Sequence, residues 1–297
     1  MREIIYYLTN RSFRCDDALY RKYHYEFKTR VQLRMNLLFI GDVVGKGGRL
    51  AVCEMVPELR KEFNCSFCVV NGENSAGGSG INAKCANHIP HEYVDVITMG
   101  DHVWDQKEFE HEINGLSNRV LRPANLSDKQ PGKGYGVFRN TGGGEVAVIN
   151  LIGKIFMRES SYCPFEKVDS ILKAIPPTVT CRIVDFHCEA TSEIAAMGHF
   201  LDGRVTAVLG THTHVQTADA KILPGNTAFI SDVGMVGSEN SILGRDIDAV
   251  LNKFVTGMPK RLPVNDKSIR LDAVVISYDL NTGNATSITP ISRNASF

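Results

Sequence analysis

The sequence predicts an α/β fold in which strands alternate with helices. Short apolar runs recur along the chain, and amphipathic or glycine-punctuated stretches separate them, which is typical of strands joined by helices. The composition agrees, since 43% of the 297 residues are hydrophobic and 22% are charged, as in an ordinary globular protein. Because no proline- or serine-rich linker, low-complexity segment or internal repeat divides it, residues 35–297 are expected to form one domain.

The elements follow in a regular order. The first strand is expected at Leu37 to Ile40, followed by a turn at "GDVVGKGG" and a helix through "RLAVCEMVPELRKEF". The C-terminal "SIRLDAVVISYDL" alternates in the manner of an edge strand or hairpin. The other predicted strands are "CSFCVV", "YVDVITMG", "GEVAVINLIG", "TCRIVDF", "RVTAVLG" and "TAFISD". The other predicted helices are "INAKCANHI", "DQKEFEHEI", "EKVDSILKAI" and "SEIAAMGHFL".

Residues 1–34 precede this pattern and contain no apolar run of the length of a signal core or a membrane span. Since a second methionine, Met35, directly precedes the first strand, these residues are expected to be a dispensable N-terminal extension. Without a targeting signal, the eight cysteines are expected to be reduced thiols in a cytoplasmic protein. The Cys65–Cys68 pair runs into an apolar strand, which favours a structural role over a zinc or redox site.

The charge balance excludes strong long-range attraction to polyanions. The 33 basic and 33 acidic residues cancel, so an anionic ligand must be attracted by a local site, and a bound metal ion would provide one.

Polar side chains follow five predicted strands, each at the point where the strand ends. In an open α/β sheet the ligand crevice lies outside the carboxyl ends of the strands, so these side chains are expected to converge. Each one alone also has an ordinary structural explanation, such as a helix cap, a turn or a buried histidine. The residues are Asp42, Glu73, Asn74, Asp101, His102, His187, His212 and His214.

The motif "GTHTHVQ" adds a second argument for convergence. His212 and His214 are two residues apart, and in an extended segment such residues point to the same side, so both imidazoles are expected to face one point. Solvated loop histidines are the alternative for an isolated motif of this kind.

The chemistry of this set indicates a dinuclear metal site. Oxygen donors combined with three imidazoles suit manganese, iron or zinc, whereas magnesium or calcium would favour oxygen alone. Without His102 the set still has seven members, too many for one such ion. Two ions bridged by a carboxylate would use them and leave room for a bridging water or hydroxide.

At this point the sequence resembles the calcineurin-like metallophosphoesterases, specifically the bacterial YmdB-type family of 2',3'-cyclic-nucleotide phosphodiesterases. The matching stretches keep the family's order over most of residues 36–246. Where the wider superfamily has a histidine two residues after the first aspartate, this chain has Val44, and Asn74 resembles the substitute ligand. The stretches are "LLFIGDVVGKGGR", "VVNGENSAGGSGI", "ITMGDHVWD", "LRPANL", "VDFHCEATSE", "GTHTHVQTAD" and "ISDVGMVG".

The resemblance implies a sandwich of two mixed β-sheets flanked by helices, with two metal ions, expected to be iron or manganese with zinc as an alternative, at its top. It assigns Glu73 as the bridging ligand and His102 as the proton donor, which does not ligate. By position, the first metal would be held by Asp42, Glu73, Asn74 and His214. The second would be held by Glu73, Asp101, His187 and His212.

One residue departs from the family pattern. The family has Gly-Asn-His where this chain has Gly100-Asp101-His102, so the predicted ligand carboxylates rise from two to three. An added anion should tighten metal binding and weaken attraction for phosphate. We therefore expect lower activity than in an Asp101→Asn variant.

The resemblance thus implies hydrolysis of a 2',3'-cyclic nucleotide by a metal-bridging hydroxide, with His102 protonating the departing ribose oxygen. The Gly-rich Ser75–Gly80 segment would let substrate approach the backbone, or is a plain flexible loop. Two alternatives stay open: a phosphomonoesterase or nuclease with the same site, including one acting on RNA ends, and a regulatory metal- and nucleotide-binding protein with weak turnover. The family also implies a homo-oligomer, whereas no membrane partner is expected.

Overall fold

The computed structural model describes residues 34–158 and 161–297, and residues Arg34–Phe297 cluster as one unit. Apart from Arg34, which begins the first strand, the predicted N-terminal extension lies outside the described residues. Its dispensability stays a prediction.

Thirteen strands and six α-helices are found in the described part of the chain. The strands are β1 (Arg34–Val43), β2 (Cys65–Asn71), β3 (Val96–Thr98), β4 (Val120–Leu121), β5 (Tyr135–Arg139), β6 (Glu145–Ile152), β7 (Cys181–His187), β8 (Ala207–Thr211), β9 (Lys221–Ile222), β10 (Ala228–Ile230), β11 (Met235–Ser238), β12 (Ile269–Asp279) and β13 (Ala285–Asn294). The helices are α1 (Gly45–Glu62), α2 (Ala83–His88), α3 (Phe109–Glu112), α4 (Pro164–Ala174), α5 (Thr191–Leu201) and α6 (Ile247–Thr256), and a 3₁₀-helix covers Ile113–Leu116.

The strands form two mixed sheets, which confirms the predicted sandwich. The first has seven strands in the order β13-β12-β11-β1-β2-β3-β4, and the second has six in the order β5-β6-β7-β8-β10-β9. The central pairings β1–β2, β2–β3, β6–β7 and β7–β8 are parallel, whereas β12 and β13 form an antiparallel hairpin at the edge of the first sheet. The carboxyl ends of the central strands within each sheet therefore lie at a common edge.

The core has three layers, and each follows from the alternation of side chains along the strands. Residues such as Leu37, Phe67 and Ile183 fill the space between the two sheets. The opposite face of β1 and β2 packs with α1, as Leu38 and Val52 do. The outer face of the second sheet is covered by α4 and α5.

All the predicted strands and helices are found, but their bounds differ. The strand predicted from "YVDVITMG" is confined to β3, and β1 is longer than Leu37 to Ile40 at both ends. The described cysteines are free, and Cys65 and Cys68 are buried in β2 as structural residues. No helix in the described ranges is long and apolar enough to cross a membrane. The predicted cytoplasmic location stays a prediction.

Candidate metal centre

The predicted ligands lie where parallel strands of both sheets end. Asp42 is the penultimate residue of β1, and Glu73 and Asn74 follow β2. His187 is the last residue of β7, and His212 directly follows β8. Asp101 comes after β3, and His214 is two residues beyond His212.

Six of these residues form two groups in which ligand atoms lie within 4.8 Å of one another. Glu73 belongs to both groups, so the two groups share one carboxylate. The larger group comprises Glu73, Asp101, His187 and His212, and the smaller comprises Asp42, Glu73 and His214. These acidic and histidine side chains could hold metal ions.

His187 is at the centre of the larger group. Its Nε2 lies 3.1 Å from Glu73 Oε2 and 3.3 Å from Asp101 Oδ1. His212 Nδ1 lies 3.0 Å from the same His187 Nε2 and 3.7 Å from Asp101 Oδ1. Ligands of one ion with bonds of about 2.0–2.2 Å are themselves roughly 3 Å apart, so this spacing fits a shared ion.

Asn74 lies beside the smaller group. Its Nδ2 donates to Glu73 Oε1 at 2.9 Å and lies 3.0 Å from His214 Nε2, so the amide presents nitrogen to both neighbours. Binding a metal ion through Asn74 would require the amide to turn over and present Oδ1, because only the oxygen can coordinate. Asp42 Oδ2 accepts a hydrogen bond from the backbone N–H of His212 at 3.1 Å, which links the two groups.

Each histidine has a partner on the ring nitrogen that faces away from the centre. His214 Nδ1 lies 3.2 Å from the Leu243 carbonyl oxygen, which can only accept, so Nδ1 carries the proton and Nε2 keeps its lone pair. His212 Nε2 lies 3.2 Å from Glu189 Oε2. His187 Nδ1 lies 2.9 Å from Thr211 Oγ1. Such outer partners fix the ring orientation that metal-binding histidines need.

Two observations test whether cations fit here. Asp42 Oδ1, Glu73 Oε2 and Asp101 Oδ1 are buried and have no hydrogen-bond donor among the described residues. Buried carboxylate oxygens without partners are costly unless a cation compensates them. Gly100 has no side chain, and a Cβ there would overlap Glu73 Oε2 and His187 Nε2. The centre therefore combines buried carboxylate oxygens that lack a partner with a space beside Gly100 that no side chain fills. Both features fit a bound metal ion.

The pKa values of the side chains at the centre are shifted because several carboxyl groups are buried close together. Burial raises the pKa of Asp42 well above its usual value, and the nearby Glu73 raises it further. Burial acts to lower the pKa of His187, but the charges of Glu73 and Asp42 and the contacts of the ring with the Glu73 and Asp101 carboxylates outweigh it and raise that pKa well above 6.5. Burial lowers the pKa of His214 to about 4, so this imidazole is neutral near pH 7. A neutral imidazole is the form that binds metals.

The His212–His214 segment is not extended, contrary to the prediction. His212 has φ of 117° and His214 has φ of 65°, both in a region that residues other than glycine rarely adopt. The two imidazoles consequently join different groups around Glu73 instead of facing a single point. Such conformations persist where surrounding contacts impose them, and the hydrogen bond from Thr213 N to Asp232 Oδ2 at 2.8 Å is one.

His102, the predicted proton donor, belongs to neither group. Its Nδ1 lies 2.8 Å from Asp105 Oδ2, and its side chain is 28% exposed, so a ligand could reach it. Asp105 also accepts hydrogen bonds from Ser79 and from Arg158 Nη1, the latter at 3.1 Å. The pairing leaves His102 Nε2 as the nitrogen available for proton transfer.

Several residues around the centre were missed by the sequence analysis. Asp105 and Ser79 lie in loops, and their convergence on His102 depends on the fold. Asp185 carried a signal, since it is polar within the predicted apolar strand "TCRIVDF", but that signal does not specify a role, and Thr211 follows the predicted strand "RVTAVLG". Val44 is buried and offers no ligand atom. Four other histidines lie outside both groups, namely His88, His91, His111 and His199.

Comparison with known proteins identifies the class. The YmdB-like protein family matches residues 38–291, and the chain belongs to this family. It is 44% identical over 260 residues to the 2',3'-cyclic-nucleotide 2'-phosphodiesterase of Bacillus subtilis strain 168, an alignment that covers 88% of this chain and 97% of that protein. This membership confirms the prediction of a hydrolase.

Two solved structures share the fold. A hypothetical protein from Thermus thermophilus superposes with a TM-score of 0.81 at 35% identity, covering 88% of this chain and 99% of the other. A structure described as a novel phosphatase of Mycoplasma pneumoniae also gives a TM-score of 0.81, at 30% identity, with 89% and 95% of the two chains covered. The predicted metallophosphoesterase sandwich is therefore confirmed.

Proposed function

We propose that this protein is a dinuclear-metal-dependent phosphodiesterase that hydrolyses 2',3'-cyclic nucleotides such as 2',3'-cyclic AMP. The observation that carries the proposal is the pair of metal-capable groups sharing Glu73. The name of the relative from Bacillus subtilis supports the substrate class. A shared carboxylate is the arrangement by which one side chain holds two ions close together.

The ligand sets are proposed from position and contact. Asp42, Glu73, Asn74 and His214 would hold the first ion, and Glu73, Asp101, His187 and His212 the second, with iron or manganese preferred over zinc. When bound, the ions would supply positive charge to the phosphate oxygens and lower the pKa of a bound water to a value near neutrality.

His102 is proposed to donate a proton to the departing ribose oxygen. A proton donor must carry its proton near neutral pH and be exposed enough to meet the substrate. The Asp105 carboxylate lies 2.8 Å from Nδ1, so it fixes the ring and holds Nε2 outward. Asp105 is held in turn by Ser79 and Arg158, so the orientation of the ring does not depend on substrate.

The Ser75–Gly80 segment is proposed to line the substrate path. Gly77, Gly78 and Gly80 have positive φ, and the Arg245 guanidinium donates to the Gly77 and Gly78 carbonyls. Gln106 Nε2 donates to the Ser79 carbonyl oxygen at 2.7 Å. These bonds hold the loop, so its role fits a fixed backbone surface better than a plain flexible connection.

A slow, regulatory binding role is the second candidate, and Asp101 is the observation that favours it. An additional buried carboxylate beside His187 opposes the approach of an anionic phosphate. Such a protein would retain 2',3'-cyclic AMP in the presence of metal without releasing product. A phosphomonoesterase or a nuclease acting on RNA ends would use the same centre but prefer a terminal phosphate or a longer substrate.

The test is hydrolysis of 2',3'-cyclic AMP by purified protein loaded with manganese or iron, with p-nitrophenyl phosphate and a short RNA as competing substrates. We expect product only when metal is present and a strong preference for the cyclic nucleotide. Retention of nucleotide without product would instead support the binding role, and preference for another ester would replace the substrate class.

We further propose that the chain forms a homodimer through α6. The helix and the residues flanking it present an apolar stripe at helical spacing that no other described part of the chain covers. The stripe consists of Leu243, Ile247, Leu251, Phe254, Val255 and Met258, with exposed fractions from 41% to 84%.

Charge at the two ends of α6 favours a second copy as the occupant. Asp246 and Asp248 lie at the start of the helix, whereas Lys253, Lys260 and Arg261 lie towards and beyond its end. A twofold axis pairs the helices antiparallel, which places the acidic end of each opposite the basic end of its partner. Light scattering should give a dimer mass for the protein and a monomer mass for Phe254→Asp. Tyr162→Asp, which alters an exposed aromatic residue elsewhere, should stay dimeric, and a monomeric wild type would refute the interface.

A further inference from the structure

Two buried polar residues lie in neighbouring strands of the second sheet, and the proposed chemistry does not use them directly. Asp185 is in β7 and Thr211 is the last residue of β8, where it pairs in register with His187. Asn71, the last residue of β2, reaches the same point from the other sheet. All three side chains have no solvent exposure. Burying three polar groups is costly unless every donor and acceptor is paired.

The donors and acceptors available at this point allow one direction for each hydrogen bond among the three side chains. Asn71 Oδ1 accepts from the Glu73 backbone N–H at 3.1 Å, which fixes the amide so that its Nδ2 faces the other residues. Nδ2 only donates, and it lies 3.1 Å from Asp185 Oδ2 and 3.2 Å from Thr211 Oγ1. Thr211 has one hydroxyl proton, which it donates to Asp185 Oδ1 at 2.7 Å.

The remaining partner of Thr211 is then determined. Its hydroxyl proton is already used, so Thr211 Oγ1 can only accept from His187 Nδ1, which lies 2.9 Å away. His187 Nδ1 must therefore carry a proton. The other ring nitrogen, Nε2, is the one that faces Glu73 and Asp101.

We infer that Asp185 and Thr211 are positioning residues that hold His187 with the proton on Nδ1, so that the Nε2 lone pair is directed at the metal centre. The inference rests on the proposed dinuclear centre and concerns how this chain prepares one of its ligands. Neither residue touches the centre itself: Asp185 orients the Thr211 hydroxyl, and that hydroxyl fixes the ring.

Removing the hydroxyl would leave His187 without this constraint. In a Thr211→Val variant the Nδ1–H and Asp185 Oδ1 both lose a buried partner, so the ring is free to turn or to move its proton to Nε2. A protonated Nε2 cannot bind a metal ion. Loss of an outer partner of a metal-binding histidine typically weakens metal affinity about 10–100-fold.

The experiment compares Thr211→Val with Thr211→Ser, which keeps the hydroxyl. Manganese binding is measured by calorimetry without substrate. We expect the Val variant to lose affinity about 10–100-fold at one of two sites, the one containing His187, while Ser binds nearly as the wild type does. Thr206→Val removes another buried hydroxyl, immediately before β8, and should leave both affinities unchanged. Wild-type affinity in Thr211→Val, or equal weakening of both sites, would overturn the inference.

A second measurement does not depend on any variant folding. In zinc-loaded wild-type protein with ¹⁵N-labelled histidine, long-range proton–nitrogen spectra should show His187 with a protonated Nδ1. A protonated Nε2 would overturn the inference. Both measurements are made without nucleotide, so a failure of the proposed phosphodiesterase activity would leave their results unchanged and is separately detectable.

Discussion

The two sheets bring different chemistry to the candidate centre. The first sheet contributes the carboxylates, which are candidate oxygen ligands, with Asp42 from β1 and with Glu73 and Asp101 after β2 and β3. The second sheet contributes imidazoles, with His187 from β7 and His212 after β8. Among the residues that the structure describes, the carboxylates have buried oxygens without a hydrogen-bond donor, whereas the two histidines have a partner on each outward nitrogen.

This difference separates two tasks. The first sheet supplies negative charge that cations would neutralise, so substitutions there should change how many ions bind and how tightly. The second sheet supplies imidazole nitrogens whose ability to bind a metal ion depends on ring orientation, so changes around them should act through geometry. The predictions below test this division, beginning with the largest effect.

Glu73→Gln should have the largest effect, because Glu73 is the carboxylate common to both groups. A neutral amide cannot bridge two cations as a carboxylate does, so both ions should be lost at ordinary metal concentrations. We expect hydrolysis near background and fewer than two manganese ions per chain by elemental analysis. Two tightly bound ions in this variant would refute the shared role of Glu73.

His102→Ala should remove proton donation while leaving both groups intact. General acid catalysis contributes about 10²–10⁴-fold, so kcat should fall by that factor for a nucleotide leaving group. Metal content should stay at the wild-type value, since His102 is in neither group. If kcat is unchanged, or falls only together with metal content, His102 is not the proton donor.

Asp101→Asn tests the added charge on the first sheet. Replacing the carboxylate with an amide lowers the negative charge beside His187, so the phosphate should bind better while the metal should bind less tightly. We expect a several-fold higher rate at saturating metal and a higher metal concentration needed to reach it. A variant that is no faster at saturating metal would contradict this account of the departure from the family pattern.

Glu189→Gln should have the smallest effect. The Glu189 side chain is 48% exposed, and its Oε2 lies 3.2 Å from His212 Nε2. The amide oxygen can still accept from Nε2–H, and exposed charge pairs contribute only about 0–1 kcal/mol. Manganese affinity should therefore fall by less than about tenfold, the lower limit for outer partners of metal ligands. A loss as large as that expected for Thr211→Val would show that an exposed outer partner of a second-sheet histidine matters as much for metal affinity as a buried one.

The sequence predicted which side chains lie close together better than it predicted their arrangement. The rule that parallel strands of one sheet end at one edge sufficed to group Asp42, Glu73 and Asp101, because it depends only on strand order. The spacing of His212 and His214 was misleading, since it assumed an extended backbone where both residues have positive φ. Contacts with residues distant in the sequence impose that conformation, and a local sequence pattern does not predict such contacts.

The supporting residues were beyond sequence reasoning for the same reason. Asp105 is three residues after His102, and the turn between them brings the two side chains together. Asp185 and Thr211 are far apart in the sequence and meet only because β7 and β8 pair in a particular register. The short strands β4 and β9 have two residues each, too few for any periodicity to appear. Helix α6 was not predicted; it buries Ala249 and Val250 but leaves a second apolar stripe exposed.

The central claim is that two ions share Glu73, and electron paramagnetic resonance of the manganese-loaded protein tests it most directly. Two manganese ions bridged by one carboxylate couple magnetically, so the wild type at two ions per chain should give the multiline spectrum of a coupled pair. His214→Ala, which removes a ligand of the smaller group alone, should give the six-line spectrum of an isolated ion. A six-line spectrum from wild-type protein carrying two ions per chain would contradict the shared centre.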